Sequence, residues 1–203
     1  MKIWFLVAAV AALTACSEAP TQTQANTPAK LPEPITGRQA FQYTFPQARR
    51  WALDAEPIEI RNLNLDQVKS EDGKAGAWQI TYVSMQRGRA RVYTWSAIES
   101  GESLHKGVFA SPEESWSARG GLNQPFSPAA LKVDSPAALQ TAVAHSKDYL
   151  DRPGARPQVT FLLELTPRFA DPAWRVLWGN SASSAEYSVF VDATTGRFLQ
   201  RVR

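Results

Sequence analysis

Side chains able to do chemistry are scarce in this 203-residue chain, which has one cysteine, Cys16, and two histidines, His105 and His145. No His pair stands at the i, i+4 spacing that places two metal ligands on one helical face. His145 has Ser146 and Asp148 beside it on an expected helix, but residues one and three apart there form no pre-aligned relay, so a half-exposed helix histidine is expected. His105, within Ser103-Leu104-His105-Lys106-Gly107, falls at an expected strand edge. The paired acids Glu71-Asp72 and Glu113-Glu114 lie in turn-like polar stretches where solvated carboxylates are the ordinary outcome. The sequence has no G-x-S-x-G nucleophile elbow, no phosphate-binding glycine loop and no dinucleotide fingerprint. These residues assemble no catalytic set, metal site or cofactor site, and the expectation is a binding protein rather than an enzyme.

Cys16 has its own context. Lys2 supplies a positive charge, residues 3–13 are an uninterrupted apolar run, and Leu13-Thr14-Ala15-Cys16 follows at once. This is the layout of a secretory signal. The run is shorter than the roughly 20 apolar residues that a transmembrane helix needs, so it reads as a leader to be removed. Leu13-Thr14-Ala15-Cys16 resembles the lipobox of bacterial lipoproteins, in which cleavage precedes the cysteine and the thiol carries a diacylglycerol. That resemblance implies a lipid anchor on Cys16. It also accounts for an odd thiol in an exported chain, and it leaves the mature domain with no disulfide. Each buried acyl CH₂ contributes about 0.8 kcal/mol, so two or three chains hold far more firmly than one. Ser17 stands where an aspartate would mark inner-membrane retention in enteric bacteria. The expected location is therefore the outer membrane, facing the periplasm.

The elements that must carry any function follow the anchor. Residues 1–15 read as the signal peptide. Residues 16–36, rich in Pro, Thr, Gln and Ala, read as a solvated tether. Two repeats then follow, at 37–122 and 123–203. Net charge is +3 with the charges scattered, so nucleic acid is not an expected partner. Arg49-Arg50, Arg87 to Arg91 and the terminal Arg201 and Arg203 are small basic spots, read as solvated turns and ends.

The repetition is visible in Ala77-Trp78-Gln79-Ile80-Thr81-Tyr82, followed by Ala90-Arg91-Val92-Tyr93-Thr94-Trp95 and then Ser100-Gly101. Its counterpart is Ala173-Trp174-Arg175-Val176-Leu177-Trp178, followed by Ala185-Glu186-Tyr187-Ser188-Val189-Phe190 and then Thr195-Gly196. The offset is 96 at the tryptophans and 95 at the glycines, a slippage of one residue. Helices are expected at 38–53 and 135–150 from apolar spacings of three and four. Pro46 predicts a kink in the first, or a late start with Thr44 as N-cap, and Asp134 or Ser135 before Pro136 is an N-cap for the second. Strands are expected at 58–65 and 158–165, then at the quoted pairs, with short last strands at 104–109 and from Phe198.

The second copy resembles the PepSY family in its helix, its strand and a Trp-x-Val hairpin ending Phe190-Val191-Asp192-Ala193-Thr194-Thr195-Gly196-Arg197-Phe198-Leu199. The first copy is a weaker echo, with Ala97-Ile98-Glu99-Ser100-Gly101 in place of the aspartate-alanine turn. The resemblance implies an α+β, cystatin-like fold of two αββββ units, each a helix packed on an antiparallel sheet. It further implies an extracytoplasmic setting and a role in inhibiting proteases or regulating nearby proteins, and it brings no catalytic residues.

Most of the tryptophans are expected in the core. If the two sheets leave each other uncovered, Trp78, Tyr82, Trp95, Trp174 and Trp178 would instead form a surface for a partner or ligand. Three functional expectations follow. The first is contact with another cell-envelope protein through a sheet edge or face. The second is protease inhibition, with the segment 120–126 as a candidate loop. The third is carriage of an apolar small molecule or lipid in a pocket lined by the aromatics.

Overall fold

The computed structural model describes residues 32–102, 104–119, 123–153 and 158–202. The chain divides into Met1–Leu31 and Pro32–Arg203. The expected leader, Cys16 and most of the tether fall in the first part, outside the described residues. Pro32–Arg203 carries its own hydrophobic core and every described element, as a self-contained folding unit does.

The order is β1 (Ile35–Thr36), α1 (Gly37–Trp51), β2 (Glu56–Leu63), β3 (Lys74–Ala75), β4 (Ala77–Ser84), β5 (Arg89–Ser96) and β6 (Gly107–Ser115). After a 3-10 turn at Pro128–Ala130 come α2 (Ser135–Ala144), α3 (Lys147–Leu150), β7 (Val159–Glu164), β8 (Ala173–Trp178), β9 (Tyr187–Asp192) and β10 (Phe198–Val202). Ile35 and Thr36, read from sequence as the end of the tether, belong to the fold, because they pair with Ala75 and Lys74 of β3. Asp72 (φ 49°) and Gly73 (φ 80°) turn the chain just before β3, the paired positive φ of a type I′ hairpin.

Each repeat is the αββββ unit expected, and the class is α+β, with helices packed on a large antiparallel sheet. The two units do not form separate or facing sheets. They join edge to edge in one eight-stranded sheet of order β10-β9-β8-β7-β2-β4-β5-β6, with the first strand of each repeat meeting at the centre. Ladder partners share a face, and Tyr93, Ile80, Ile60, Leu163, Trp174 and Val191 form one row across six strands. All six are buried, and the helices lie on this face. The alternate residues face away from the helices.

Trp78 and Trp174 occupy matching places 96 residues apart. Trp78 Nε1 donates to Ile35 O at 2.9 Å, and Trp174 Nε1 donates to Val133 O at 2.9 Å. Each acceptor is the residue just before a helix N-cap, Thr36 or Asp134. The rings meet edge to face at 6.4 Å, with Phe161 packed against both. Gly37 sits over the pair, and a Cβ there would come within 2.8 Å of Trp174 and 3.1 Å of Trp78. The same offset holds at the repeat ends. Ala97 N donates to Gly76 O at 2.8 Å, and Ala193 N donates to Pro172 O at 3.0 Å. Ser96 Oγ accepts from Ile98 N just as Asp192 Oδ1 accepts from Thr194 N. Ser96-Ala97 is thus the first copy's form of the Asp192-Ala193 turn.

The N-termini of α1 and α2 converge. Asp134, the N-cap of α2, accepts at Oδ1 from Ser135 N (2.7 Å) and from Arg38 N of α1 (2.9 Å). Ser135 Oγ accepts from Gly37 N (2.9 Å) and donates to Gly73 O (2.6 Å). One carboxylate therefore faces the positive ends of two helix dipoles. Helix α1 begins at once, because Thr36 and Gln39 form a capping box, and it neither starts late nor breaks at Pro46. Pro46 is exposed, as is Gln42, whose carbonyl loses its helical partner there and can turn to water. The second helix does break. Ser146 Oγ bonds Ala142 O at 2.6 Å, and α3 restarts at Lys147.

Gly37→Ala tests the convergence. Both indoles are pinned by their hydrogen bonds, so the added methyl has no room, and the variant should lose about 1–3 kcal/mol in denaturant unfolding despite alanine's better helix propensity. Asp134→Ala should cost about 1–2 kcal/mol by the same measurement, at the upper end for a cap because two helices lose an acceptor.

Candidate functional site

The face turned from the helices centres on the β2–β7 seam. Its ladder has three pairs, Glu59↔Glu164, Ile60↔Leu163 and Arg61↔Leu162. It stops where Asn62 Oδ1 accepts from Phe161 N at 2.7 Å, a side chain taking the place of a ladder carbonyl. Asn62 Nδ2 donates to Asn64 Oδ1 (2.8 Å), which also accepts from Ser70 Oγ. Asn64 Nδ2 reaches Thr160 Oγ1 at 3.3 Å, and Thr160 donates to Gly179 O at 2.7 Å. Beside this polar wall lies a groove of about 640 Å³, with Leu63, Leu162 and Leu177 as apolar lining and Arg61, Ser181 and Ala182 also lining it.

Charge is concentrated across the same seam. Leu162 lies between Arg61 and Arg175 in one cross-strand row. Arg61 Nε is 3.5 Å from Glu59, and its Nη2 donates to Gln79. Arg175 is held over the Phe190 ring at 5.5 Å and donates to Ser188 Oγ. Glu59 and Glu164 face each other directly, a costly pairing of like charges. Burial pushes the Glu164 carboxyl above the usual carboxylate range and Glu59 adds to the rise, while Asn123 and Arg175 oppose it. The wall amides are bonded to one another, so the site offers an apolar floor, the Arg61 guanidinium and the polar side chains of Gln158, Asn180 and Ser181, with Arg175 one strand beyond. No group of three or more His, Cys, Asp or Glu among the described residues could hold a metal ion.

The residues singled out from sequence lie elsewhere. Trp78, Tyr82, Trp174 and Trp178 are buried under the helices and offer no outward surface, which corrects the expectation of a contact face. The reason is register: they lie on the same side of their strands as the core row and meet helix residues, as Tyr82 Oη does Thr44 Oγ1 at 2.8 Å. Trp95 is half-buried and stacked on Tyr43 at 6.4 Å. The two histidines have separate partners. His105 Nδ1 is 2.7 Å from Glu99 with its ring on Phe109, and His145 is exposed and stacked on Phe198.

Glu113 is not a free turn carboxylate. It lies in β6, accepts from Trp51 Nε1 at 2.9 Å and pairs with Arg87. Of the segment 120–126, residues 120–122 fall outside the described residues. Gln124 N and Phe126 N donate to Leu165 O and Pro57 O, so that part is stitched to the sheet. Sequence reasoning missed the seam, although Glu59-x-Arg61 and Arg175 stood on the polar side of their strands' alternation.

No family model matches the chain, and the curated proteins contain no match. Among solved structures, a Clostridium difficile 630 protein named "putative lipoprotein" matches 80% of this chain and 91% of its own length, at 12% identity and a TM-score of 0.47. A likeness of that degree carries no inference.

The raised Glu164 carboxyl sets the sign of a pH effect. The folded state holds this proton more tightly than the unfolded one, so stability falls as pH rises from the ordinary carboxylate range through the raised value. Glu164→Gln should therefore melt higher than the parent at neutral pH, and the gap should close below about pH 4, as followed by melting temperature against pH.

Proposed function

We propose that this chain is a lipid-anchored, non-enzymatic binding protein of the bacterial cell envelope. In this reading it is held through Cys16 at the periplasmic side of the outer membrane and built from two PepSY-like repeats. Its partner is another envelope protein, a segment of which lies along the seam groove. The observation that carries the reading is the groove itself, with an apolar floor, amide and hydroxyl walls and Arg61 in its lining, on a sheet face that the helices leave open, with Arg175 one strand beyond.

The face is favoured over the edges. In β6, Pro112 cannot donate, Glu113 and Glu114 are exposed, and a bulge interrupts the pairing with β5. In β10 a bulge lies between Phe198 and Gln200. Both features blunt strand addition. The carrier reading needed aromatics around a cavity, whereas Trp78, Trp174, Tyr82, Tyr93 and Phe161 pack against one another and are fully buried.

In-cell crosslinking of the anchored protein should capture one or two envelope proteins reproducibly, and Cys16→Ala should lose them. Leu162→Asp, which places a charge on the groove floor, should weaken capture at least about tenfold, equivalent to 1.4 kcal/mol, with the melting curve of Pro32–Arg203 little changed. The reading fails if no specific partner appears or if Leu162→Asp captures as much as the parent.

A further inference from the structure

Two basic spots far apart in sequence, Arg49-Arg50 and Arg87 to Arg89, meet at one end of the first repeat. Asp54 makes the connection, accepting from Ser84 Oγ at 2.7 Å and from Gln86 N at 2.9 Å. This clasp brackets Met85 and adjoins Leu53, which at 57% and 80% exposure are the two most exposed large hydrophobic side chains among the described residues. Arg87 holds the same junction from the other side, donating to Trp51 O at 2.7 Å and lying over the Trp51 ring at 5.4 Å. The end of β6 completes the tip. Trp116 N donates to Gly88 O, and Met85, Trp116 and Arg119 line a hollow of about 470 Å³.

We propose that this tip docks on the surface of an anionic lipid bilayer, with Leu53 and Met85 entering the headgroup layer and Arg49, Arg50, Arg89 and Arg119 facing lipid phosphates. The charge is disposed for it. Of the acids at the tip, Glu113 pairs with Arg87 and accepts from Trp51, while Asp54 keeps its charge on the neutral donors Ser84 and Gln86 and is outnumbered by Arg49, Arg50, Arg87 and Arg89. Glu56 and Glu114 fall in register with Val83 and Ala90, on the sheet face away from the helices. Exposed apolar side chains flanked by arginine are what an interfacial contact needs, since apolar burial and attraction to anionic headgroups add. Two projecting apolar side chains suit a soft lipid layer better than a shaped protein pocket. The contact would fix the orientation of the sheet relative to the bilayer, and it is independent of Cys16 and of the groove.

The test uses Pro32–Arg203, which carries the whole described fold and no lipid, in sedimentation with phosphatidylglycerol/phosphatidylcholine vesicles and with phosphatidylcholine vesicles alone. The expected result is binding to the anionic vesicles only, weakened by salt. The double variants Leu53→Ser/Met85→Ser and Arg49→Gln/Arg50→Gln should each lower the partition coefficient roughly tenfold or more, while Arg201→Gln, in β10 at the far edge of the sheet, leaves it unchanged. Absence of binding at low salt, equal binding to neutral vesicles, or binding indifferent to both double variants overturns the proposal. Retention on an acidic protein column without vesicle binding also overturns it and assigns the tip to an acidic protein surface.

Discussion

Two helix N-termini converge above a pair of indoles packed edge to face, and the remaining architecture depends on that junction being tolerated. Left alone, the two positive dipole ends would repel and four backbone N–H groups on each side would need acceptors. Asp134 and Ser135 supply acceptors to both helices, and Trp78 and Trp174 fasten the preceding carbonyls to the sheet. Because Gly37 lacks a Cβ, α1 can approach both rings. The helices are thereby placed on one face, over strands that share a single sheet.

That sharing brings an electrostatic cost to the middle of the opposite face. Three ladder pairs hold the repeats together there, and one of them sets Glu59 against Glu164. Arg61 and Arg175 lie in the next row and offset part of the repulsion. Asn62 ends the ladder early by giving its own oxygen to Phe161 N. A sheet optimised only for stability would continue the ladder and separate the acids. Here the strands part instead, and the space between them is the groove.

Much of the fold was legible in the sequence because it follows from local rules. The period-two strands, Asp134 before Pro136 and the 96-residue spacing of Trp78 and Trp174 all translated into elements close to where they were expected. The sequence match of residues 90–95 with residues 185–190 is one residue out of register, because Trp95 and Val191 are the structural counterparts, each opposite its repeat's tryptophan. What stayed hidden was long-range. Nothing local tells β2 and β7 to pair with each other rather than to begin two sheets, and the tryptophans could be assigned to a face only once that pairing was known. The groove, which depends on Asn62 reaching a backbone amide 99 residues away, was hidden for the same reason. Pro46 misled because proline's cost in a helix depends on whether the freed carbonyl can reach water, and here Gln42 is exposed.

The central seam has a consequence for how the protein is made. Until the second repeat folds, β2 is a bare strand edge, and any β7, from the same chain or a neighbouring one, satisfies it equally well. Carrying both repeats on one polypeptide favours the intramolecular match, because covalent linkage holds the proper edge at a local concentration of about millimolar. At protein concentrations approaching that value the preference disappears, and reciprocal exchange of whole repeats between two chains becomes the competing assembly. The same join that gives this molecule a continuous sheet also makes crowded refolding its most vulnerable step.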